Sequence, residues 1–562
     1  MKRFLALLLA VMMLMSLMVS VSAAAAEDDE PVYGGDMTIY FRNLMTEYDP
    51  SGPDIFNYAA WYEPLFVLDW SKTDDTFSYL NMENMKGQLA ESWEWNEEDM
   101  TLTVTIRDDV YFQTLPEEYD YYGGRKLTAA DVEWSYDRLL GIGASDEPVF
   151  SMMDWPGTLY MIRDIDVVDD TTLVFYFNTD KELAINDFIV NSPNIVGPEW
   201  ADLTAEQRAD WHYCCGTGPF IIQDYVEGSA MTLVRNDNYY GCDERHPENK
   251  LPYLDSITLL KTMDNATLMA EFLSGEVSMV VDSEDVFTAS EQEQIRNSMK
   301  AEDFVEYSNR ISSRCLIMKQ TIEPLTHPEV RQALQYAIDL DSIASQYFQQ
   351  EDWFVPGMFS QVTPFSEVDW SDGLYESYTT YDPDLARQLL AEAGYPNGFE
   401  MNMAFAQESA SATEIILLVQ QYLAQVGVTL NIEYLANGPT VTNFVAQDND
   451  YMGVIQMGNF RVGSVMEWWK SDGFMYLLWG DQEKVDALCA AVKNAETLDE
   501  LQQAYFDLSQ YVLEQHYCVY FTPAEDINYF VRSNVGGYNG ENLSNAWNMR
   551  TIMARVWDKT AD

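Results

Sequence analysis

Residues 88–110 read QLAESWEWNEEDMTLTVTIRDDV and contain the clearest strand signal of the chain. Within them, Thr101–Arg107 (TLTVTIR) alternates polar and apolar side chains, which predicts a half-buried strand. Thr171–Phe177 (TTLVFYF) is rich in β-branched and aromatic residues and predicts a second strand. Between these strands, Thr128–Leu140 (TAADVEWSYDRLL) predicts a helix with Thr128 as its N-cap. This mixture of strands and helices predicts an α/β fold.

The same mixture continues to the end of the chain. Residues 218–239 predict a hairpin that turns near Gly228. Asp382–Gly394 predicts a helix with Asp at the N-cap, Pro at the first helical position and Gly at its end. The remaining predicted elements are helices over 328–339 (with Thr326 as its cap), 413–425 and 498–515, and strands over 428–434 and 517–522.

The composition excludes two classes of protein. The chain has 562 residues, with 31 Lys and Arg against 92 Asp and Glu, so its formal net charge is −61. A chain with 26 Phe, 35 Tyr and 15 Trp can bury far more apolar surface than a disordered protein does. No basic surplus exists to neutralise phosphates, so we expect no nucleic-acid partner.

The N-terminus carries the features of an export signal. Lys2 and Arg3 precede the apolar run Phe4–Val21, and Ser22–Ala26 (SAAAA) supplies the small residues that a signal peptidase accepts. We therefore expect residues 1–26 to be a signal peptide, although the length of the run leaves an uncleaved anchor open. No Cys stands at the cleavage point, so no lipid anchor is indicated, and we expect a periplasmic or cell-surface protein.

Four segments resemble one family when they are taken in order. They are residues 88–110 with the following RKLTAADVEWSYDRLL, residues 216–241 (GTGPFIIQDYVEGSAMTLVRNDNYYG), residues 330–339 (VRQALQYAID) and residues 381–399 (YDPDLARQLLAEAGYPNGF). Together the segments resemble the extracellular solute-binding proteins of peptide-type ABC transporters, family 5. The resemblance extends from about residue 36 to residue 530.

The resemblance implies a two-lobe periplasmic-binding-protein fold of the cluster C type, with an extra subdomain on the first lobe. The first lobe would comprise residues 27–61, 199–290 and 520–562, the extra subdomain 62–198, and the second lobe 291–519. Such proteins close on a solute between their lobes and deliver it to an ABC permease that an ATPase drives. We expect a monomer without a cofactor.

The resemblance also implies ligand-contacting strands in both lobes, as in strand addition. In the first lobe, the family's Asp-Pro motif matches Asp49–Pro50 and points to Asp54, Ile55 and Phe56. In the second lobe, the matching stretch is residues 456–464, QMGNFRVGS.

This second stretch departs from the family pattern. The family's Asp for a peptide amine falls near Phe460 and its Trp falls on Met457, so neither is kept. Asn459 adjoins these positions, and Arg461 would favour an anionic or polar ligand group, unless it pairs with a surface acid.

Aromatic residues near both stretches are further candidates for ligand contact. Trp61 lies near the first crossing between lobes, and Trp468 and Trp469 follow the second stretch. Aromatic rings in a cleft stack on sugars or receive peptide side chains, whereas core packing is the alternative role. A cleft role predicts that Trp468 and Trp469 contribute to binding and hardly to the melting temperature.

Six cysteines leave the disulfide pattern undecided. Cys215 and Cys242 lie at similar distances before and after the turn at Gly228, so a hairpin would bring them together, and a Cys215–Cys242 bridge is one possibility. Cys214–Cys242 and free thiols are the others. His212 and His246 add zinc-binding residue types, but the spacing matches no standard finger, and we predict no metal site.

No catalytic motif stands out. The chain has no Gly-x-Ser-x-Gly, His-Glu-x-x-His, Walker or Gly-x-Gly-x-x-Gly sequence, so we expect a binding protein and not an enzyme. Three alternatives stay open, namely an oligosaccharide binder of the same family, a secreted glycan hydrolase and a sensory binding protein.

Overall fold

The structure, a computed structural model, describes most of the chain. The described residues are 30–41, 44–45, 48–50, 60–68, 85–140, 162–178, 181, 184, 193–262, 264–281, 286–310, 313–348, 350, 353–358, 367–406, 410–435, 438–447, 449–457, 469–471, 473, 482–495, 497–524, 526–540 and 552–561. The predicted signal peptide lies outside them.

Strands are distributed along the whole described chain. They are β1 (Asp36–Tyr40), β2 (Phe66–Leu68), β3 (Met85–Gly87), β4 (Ala90–Asn96), β5 (Thr101–Ile106), β6 (Ile162–Asp169), β7 (Thr172–Phe177), β8 (Phe220–Val226), β9 (Ala230–Arg235), β10 (Cys242–Asp243), β11 (His246–Lys250), β12 (Ser256–Leu260), β13 (Met279–Val280), β14 (Phe304–Arg310), β15 (Ser313–Ile317), β16 (Glu400–Ala406), β17 (Thr429–Leu435), β18 (Tyr451–Met452), β19 (Val454–Met457), β20 (Cys518–Tyr520), β21 (Asp526–Arg532), β22 (Val535–Gly536) and β23 (Trp557–Asp558).

Helices are concentrated in the second half. They are α1 (Ala129–Leu140), α2 (Ala205–Arg208), α3 (Asn265–Ser274), α4 (Ala289–Ser298), α5 (Pro328–Tyr336), α6 (Leu340–Tyr347), α7 (Leu374–Thr379), α8 (Pro383–Glu392), α9 (Ala410–Gln425), α10 (Gly438–Val445), α11 (Gln482–Lys493) and α12 (Leu498–Glu514). Among the described residues, no helix is both long enough and apolar enough to cross a bilayer.

The largest sheet has seven strands in the order β14-β21-β13-β1-β12-β9-β8. Strand β1 lies at its centre and runs parallel to both neighbours, β12 and β13. The sheet therefore joins segments from both ends of the chain and from its middle. Strand β14 pairs with β21 in this sheet, although it lies beyond the predicted first-lobe boundary at residue 290.

A second sheet, antiparallel and with the order β4-β5-β7-β6, lies in the predicted extra subdomain. The predicted alternation of β5 is confirmed, because Leu102, Val104 and Ile106 are fully buried. Helix α1 packs against β6 and β7 and contributes Val132 and Tyr136 to the same core.

Two smaller sheets lie in the predicted second lobe. Strand β15 is central in β19-β15-β20, and β16 is central in the parallel sheet β17-β16-β18. The fully buried side chains of Ile415, Ile416 and Val419 on α9 join the core that includes both sheets.

Two neighbouring chain segments connect the seven-stranded sheet to β15 and β20. The ladder of β14 with β21 ends at Arg310 opposite Asp526, and the ladder of β15 with β20 includes Cys315 opposite Tyr520. Between them, the amide of Arg314 donates to Oγ1 of Thr522 at 2.7 Å, and the amide of Phe521 donates to the carbonyl of Arg314 at 3.0 Å. A short pair of adjacent crossings is the geometry that a hinge between two bodies requires.

Most local predictions agree with the structure. The hairpin of β8 and β9 turns at Gly228, which has φ +69°. Helix α8 starts after Asp382, whose side chain accepts the amides of Asp384 and Leu385. Helix α1 starts directly after Thr128.

The predicted cap of α5 is wrong. Pro328 occupies the first helical turn, so the preceding residue, His327, takes the extended conformation of an N-cap. The hydroxyl of Thr326 donates instead to the carbonyl of Glu323 at 2.7 Å.

His516 follows the C-terminus of α12 and is buried. It has φ +47°, and its ring stacks on Tyr378 with centroids 4.5 Å apart. Nε2 of His516 lies 3.0 Å from the hydroxyl oxygen of Ser377, and that hydroxyl donates to the carbonyl of Leu374 at 2.7 Å. Burial, with a contribution from the positive charge of Arg331, lowers the pKa of His516 to about 4.

We predict that this histidine makes the fold acid-labile. The unfolded chain binds the proton near pH 6.5 and the folded chain only near pH 4, so stability is complete above pH 6.5 and falls across that interval. At about 1.4 kcal/mol per pH unit, the loss approaches roughly 3 kcal/mol. His516→Asn, which tolerates the left-handed backbone, should flatten the slope of unfolding free energy against pH.

Chemical denaturation between pH 4 and 7 measures that slope. Leu334→Ala is the control, because it removes a fully buried side chain and leaves the titrating group in place. The control should lower stability equally at every pH. An unchanged slope in His516→Asn would assign the acid response to other groups.

Candidate ligand-binding site

The predicted first-lobe contacts are bracketed by two described segments. Asp54, Ile55 and Phe56 lie outside the described residues, whereas residues 48–50 and 60–68 on either side are described. The structure therefore shows how the chain enters and leaves residues 51–59.

The entry is held by residues of the predicted extra subdomain and of the segment that follows it. Arg138 on α1 donates to both carboxylate oxygens of Asp49, with Nη1 at 3.1 Å and Nη2 at 2.5 Å. The guanidinium of Arg138 also lies 4.2 Å from the ring centroid of Trp200. Nδ2 of Asn194 donates to the carbonyl of Pro50 at 3.1 Å. These bonds fix the backbone immediately before residue 51.

The exit is held by close backbone packing. The amide of Gly218 donates to the carbonyl of Trp61 at 3.0 Å. A Cβ atom at Gly216 would lie 2.1 Å from the carbonyl oxygen of Trp61, and one at Gly218 would lie 2.7 Å from that of Ala60. Both glycines of the GTGPF motif are therefore required, because any larger residue would push residues 60–62 away.

Gln113 connects this packing to the extra subdomain. Its side-chain Nε2 donates to the carbonyls of Gly218 at 3.0 Å and Phe220 at 2.6 Å. Its backbone amide donates to the carbonyl of Gly216 at 2.8 Å. The side chain is fully buried. The exit segment is thus fixed by the glycine motif and by Gln113, which lies in the predicted extra subdomain.

Glu63 follows this exit segment directly, and the sequence analysis did not single it out. Its buried carboxylate accepts hydrogen bonds from Tyr239 at 2.8 Å, Tyr240 at 3.1 Å, Thr217 at 2.8 Å and Nε2 of Gln88. Burial raises the pKa of Glu63, and these hydrogen bonds oppose that increase. The available sequence signal was an acid within the apolar run WYEPLF.

Trp61 is fully buried in the core beneath the seven-stranded sheet. The described structure thus supports a packing role for its ring. Its contact with a ligand stays a prediction.

The second-lobe stretch begins at the end of β19. Met457 is fully buried and pairs with Ser313 of β15. Asn459, Phe460, Arg461 and Trp468 lie outside the described residues, so their ligand contacts stay predictions.

Trp469 is described and fully buried in the second-lobe core. A large aromatic side chain at such a position stabilises the fold by packing. This burial favours a packing role, so we now expect loss of the Trp469 side chain to lower the melting temperature.

The structure contains no bridge between Cys215 and Cys242. Both are free thiols, as is Cys214. The ladder of β8 with β9 ends at Phe220 opposite Arg235, and Cys242 belongs to the separate hairpin of β10 with β11. The assumption that one hairpin continues to both cysteines was incorrect. The thiol of Cys215 instead donates to the carbonyl of Gln113 at 3.2 Å.

The ring of His212 contacts one carboxylate and two aromatic rings, and this is not a set of zinc ligands. Its Nδ1 lies 2.6 Å from Oδ1 of Asp210, and its ring is stacked between Tyr119 and Trp211. Within the part of the chain that the structure describes, no three His, Cys, Asp or Glu side chains are grouped to hold a metal ion.

Comparison with known proteins identifies the family. Residues 84–486 match the bacterial extracellular solute-binding proteins, family 5 Middle. The match covers more than half of the chain, and the chain therefore belongs to the family 5 extracellular solute-binding proteins.

Individual relatives agree with this assignment. The chain is 27% identical over 427 residues to the glutathione-binding protein GsiB of Escherichia coli K12, covering 75% of this chain and 73% of GsiB. It is 26% identical over 364 residues to heme-binding protein A of Haemophilus influenzae, covering 61% and 60%.

A solved structure supports the fold. The periplasmic binding protein DppA of Helicobacter pylori, in complex with the peptide STSA, superposes with a TM-score of 0.72 at 18% identity and covers 94% of this chain and 99% of DppA. The predicted two-lobe α/β fold of the cluster C type is confirmed. The chain is a solute-binding protein of the kind that serves ABC import.

We predict that Trp469→Ala lowers the free energy of unfolding by roughly 3–5 kcal/mol, because it leaves a cavity in a closed core. Tyr434→Ala is the control, since this aromatic of the same lobe is 42% exposed and its loss should cost less than about 1 kcal/mol. Urea unfolding monitored by circular dichroism measures both values. Equal losses in the two variants would contradict the assigned packing role.

Proposed function

We propose that this chain is exported and captures a peptide-like solute between its two lobes for an ABC permease, without altering the solute chemically. The observation that carries the proposal is the family match over residues 84–486. Glutathione, which GsiB binds, and STSA, which is bound in the DppA structure, are both peptides.

The geometry of the first lobe supports an extended ligand. Residues 51–59 enter from Pro50, which Asn194 holds, and leave into residues 60–62, which pack on Gly216 and Gly218. A segment with both ends fixed can present its backbone to a ligand with little loss of conformational entropy on binding. Preorganised backbone groups are what strand addition to a peptide needs.

The second lobe supports the same arrangement. Strand β19 is held by β15 up to Met457, and the chain continues from there into residues 458–468. In this proposal, the two adjacent crossings at Arg314 and Thr522 act as the hinge between the lobes. A ligand that contacts both lobes would then favour the closed state.

We predict that the purified chain binds small peptides. Thermal unfolding should shift upward with Ser-Thr-Ser-Ala or reduced glutathione and stay unchanged with cellotetraose, because a ligand of the folded state stabilises by mass action. Mass spectrometry should recover the bound peptide intact. A shift with cellotetraose alone would favour the oligosaccharide alternative, and cleaved peptide would indicate an enzyme.

We predict that Arg461 sets the preference for an anionic ligand group. Arg461→Ala should weaken binding of glutathione, which has two carboxylates, by about tenfold more than binding of its diamide. Isothermal titration calorimetry measures both affinities. Arg387→Ala is the control, because this arginine pairs with Asp384 on the exposed face of α8. An equal loss for both ligands would contradict a charge-reading role.

A further inference from the structure

The side-chain amide of Gln335 on α5 pairs with strand β20 as a neighbouring strand would. Its Nε2 donates to the carbonyl of Tyr520 at 3.0 Å, and its Oε1 accepts the amide of Tyr520 at 2.7 Å. An exchange of two hydrogen bonds with one residue is the pattern of a directly opposed pair in an antiparallel ladder. Strand β15 occupies the other side of β20, where the amide of Phe521 donates to the carbonyl of Arg314. The crossing strand is therefore hydrogen-bonded on both sides.

Burial makes the pairing with Gln335 difficult to replace. Gln335 and Tyr520 are both fully buried, so water does not reach the backbone groups that bond to the side-chain amide. A buried N–H or C=O group without a partner is costly, because it has lost its bonds to water. An apolar side chain at position 335 would leave both backbone groups of Tyr520 in that state.

Two further contacts attach the same strand and the chain after it to the predicted second lobe. The hydroxyl of Tyr520 donates to the carbonyl of Pro356 at 2.6 Å. The amide of Ala524 donates to the carbonyl of Phe354 at 2.8 Å. Since Gln335, Phe354 and Pro356 all lie within residues 291–519, the chain from Tyr520 to Ala524 is held by that lobe.

The attachment changes two residues later. Asp526 lies opposite Arg310 in the ladder of β21 with β14, and both strands belong to the seven-stranded sheet. The hydrogen bonds of the chain therefore pass from the predicted second lobe to this sheet between Ala524 and Asp526.

We propose that Gln335 is a positioning residue for solute capture, which makes residues 518–524 part of the second lobe and places the lobe boundary of this crossing between Ala524 and Asp526. The inference rests on the proposed function, in which the lobes close on a solute. Gln335 acts through Tyr520 and need not touch the solute. Loss of the pairing would let more residues of the crossing bend, so closure would have to remove more conformational entropy.

Gln420 provides a matched control in the same lobe. It lies on α9, and its Nε2 donates to the carbonyl of Leu430 on β17 at 2.6 Å. Its side chain therefore also holds a strand from a helix. Among the described strands, β17 is paired only with β16, so Gln420→Leu removes a comparable bond outside the crossing.

The first measurement is residue-resolved hydrogen–deuterium exchange of the full chain without ligand. In Gln335→Leu, exchange should become about tenfold faster at the amides of Phe521, Thr522 and Ala524. All three amides bond to residues other than Gln335, so a purely local loss would accelerate only the amide of Tyr520. The three amides should keep their wild-type rates in the control variant.

The second measurement is the affinity for Ser-Thr-Ser-Ala by isothermal titration calorimetry. Binding should weaken by about tenfold in Gln335→Leu and stay unchanged in Gln420→Leu. Both variants should lose thermal stability, so a loss of stability alone does not produce this difference.

A milder variant, Tyr520→Phe, covers the case in which Gln335→Leu does not fold. It keeps the aromatic ring and removes only the hydroxyl that donates to Pro356. Exchange at the same three amides should become roughly threefold faster, and peptide binding should weaken, because one attachment of the strand is lost.

Acceleration confined to the amide of Tyr520 in Gln335→Leu, or wild-type rates at all three amides in Tyr520→Phe, would overturn the proposal. Equal acceleration in Gln420→Leu would also overturn it, because the whole lobe would then be loosened. Wild-type affinity in Gln335→Leu would refute the positioning role. Failure of the wild type to bind any peptide would instead count against the proposed function, and the exchange measurement separates the two failures because it needs no ligand.

Discussion

The structure depends on the close approach of two backbone segments, residues 60–62 and the glycine motif at 216–218. The approach is possible only because two positions lack a Cβ atom. It brings residues 60–62 against the chain that leads into the first strand of the hairpin β8–β9. Gln113 then hydrogen-bonds across the same junction from the predicted extra subdomain. Three parts of the chain that are distant in sequence therefore meet at one point.

Polar groups buried near this junction make it specific. Glu63 receives four hydrogen bonds from side chains of three separate segments, so its carboxylate is satisfied only when all of them are in place. A satisfied buried network favours one arrangement strongly, because any other leaves polar groups without partners. The junction and the Arg138–Asp49 pair hold opposite ends of residues 51–59. The described chain is therefore fixed on both sides of residues 51–59.

Sequence patterns predicted individual elements well where the signal is local. The alternation in β5, the turn at Gly228 and the Asp-Pro start of α8 depend on neighbouring residues, and all three appear as expected. The cap of α5 was wrong by one residue, because the proline after His327 takes priority over the preference of Thr326 for a cap. Side-chain roles were harder to predict. Tryptophan is a residue type that often lines binding clefts, yet the side chains of Trp61 and Trp469 both pack in cores.

The sequence by itself determined the family, the α/β class and the order of most helices and strands, because these follow from motifs and periodicity along the chain. Only the tertiary structure decided which side chains are buried and which distant residues pair. Arg138 and Asp49 are separated by 89 positions, and no spacing rule connects them. The same reason explains the cysteines, since the β8–β9 ladder ends at Phe220 and Arg235 and reaches neither Cys215 nor Cys242, which belongs to the separate hairpin of β10 with β11.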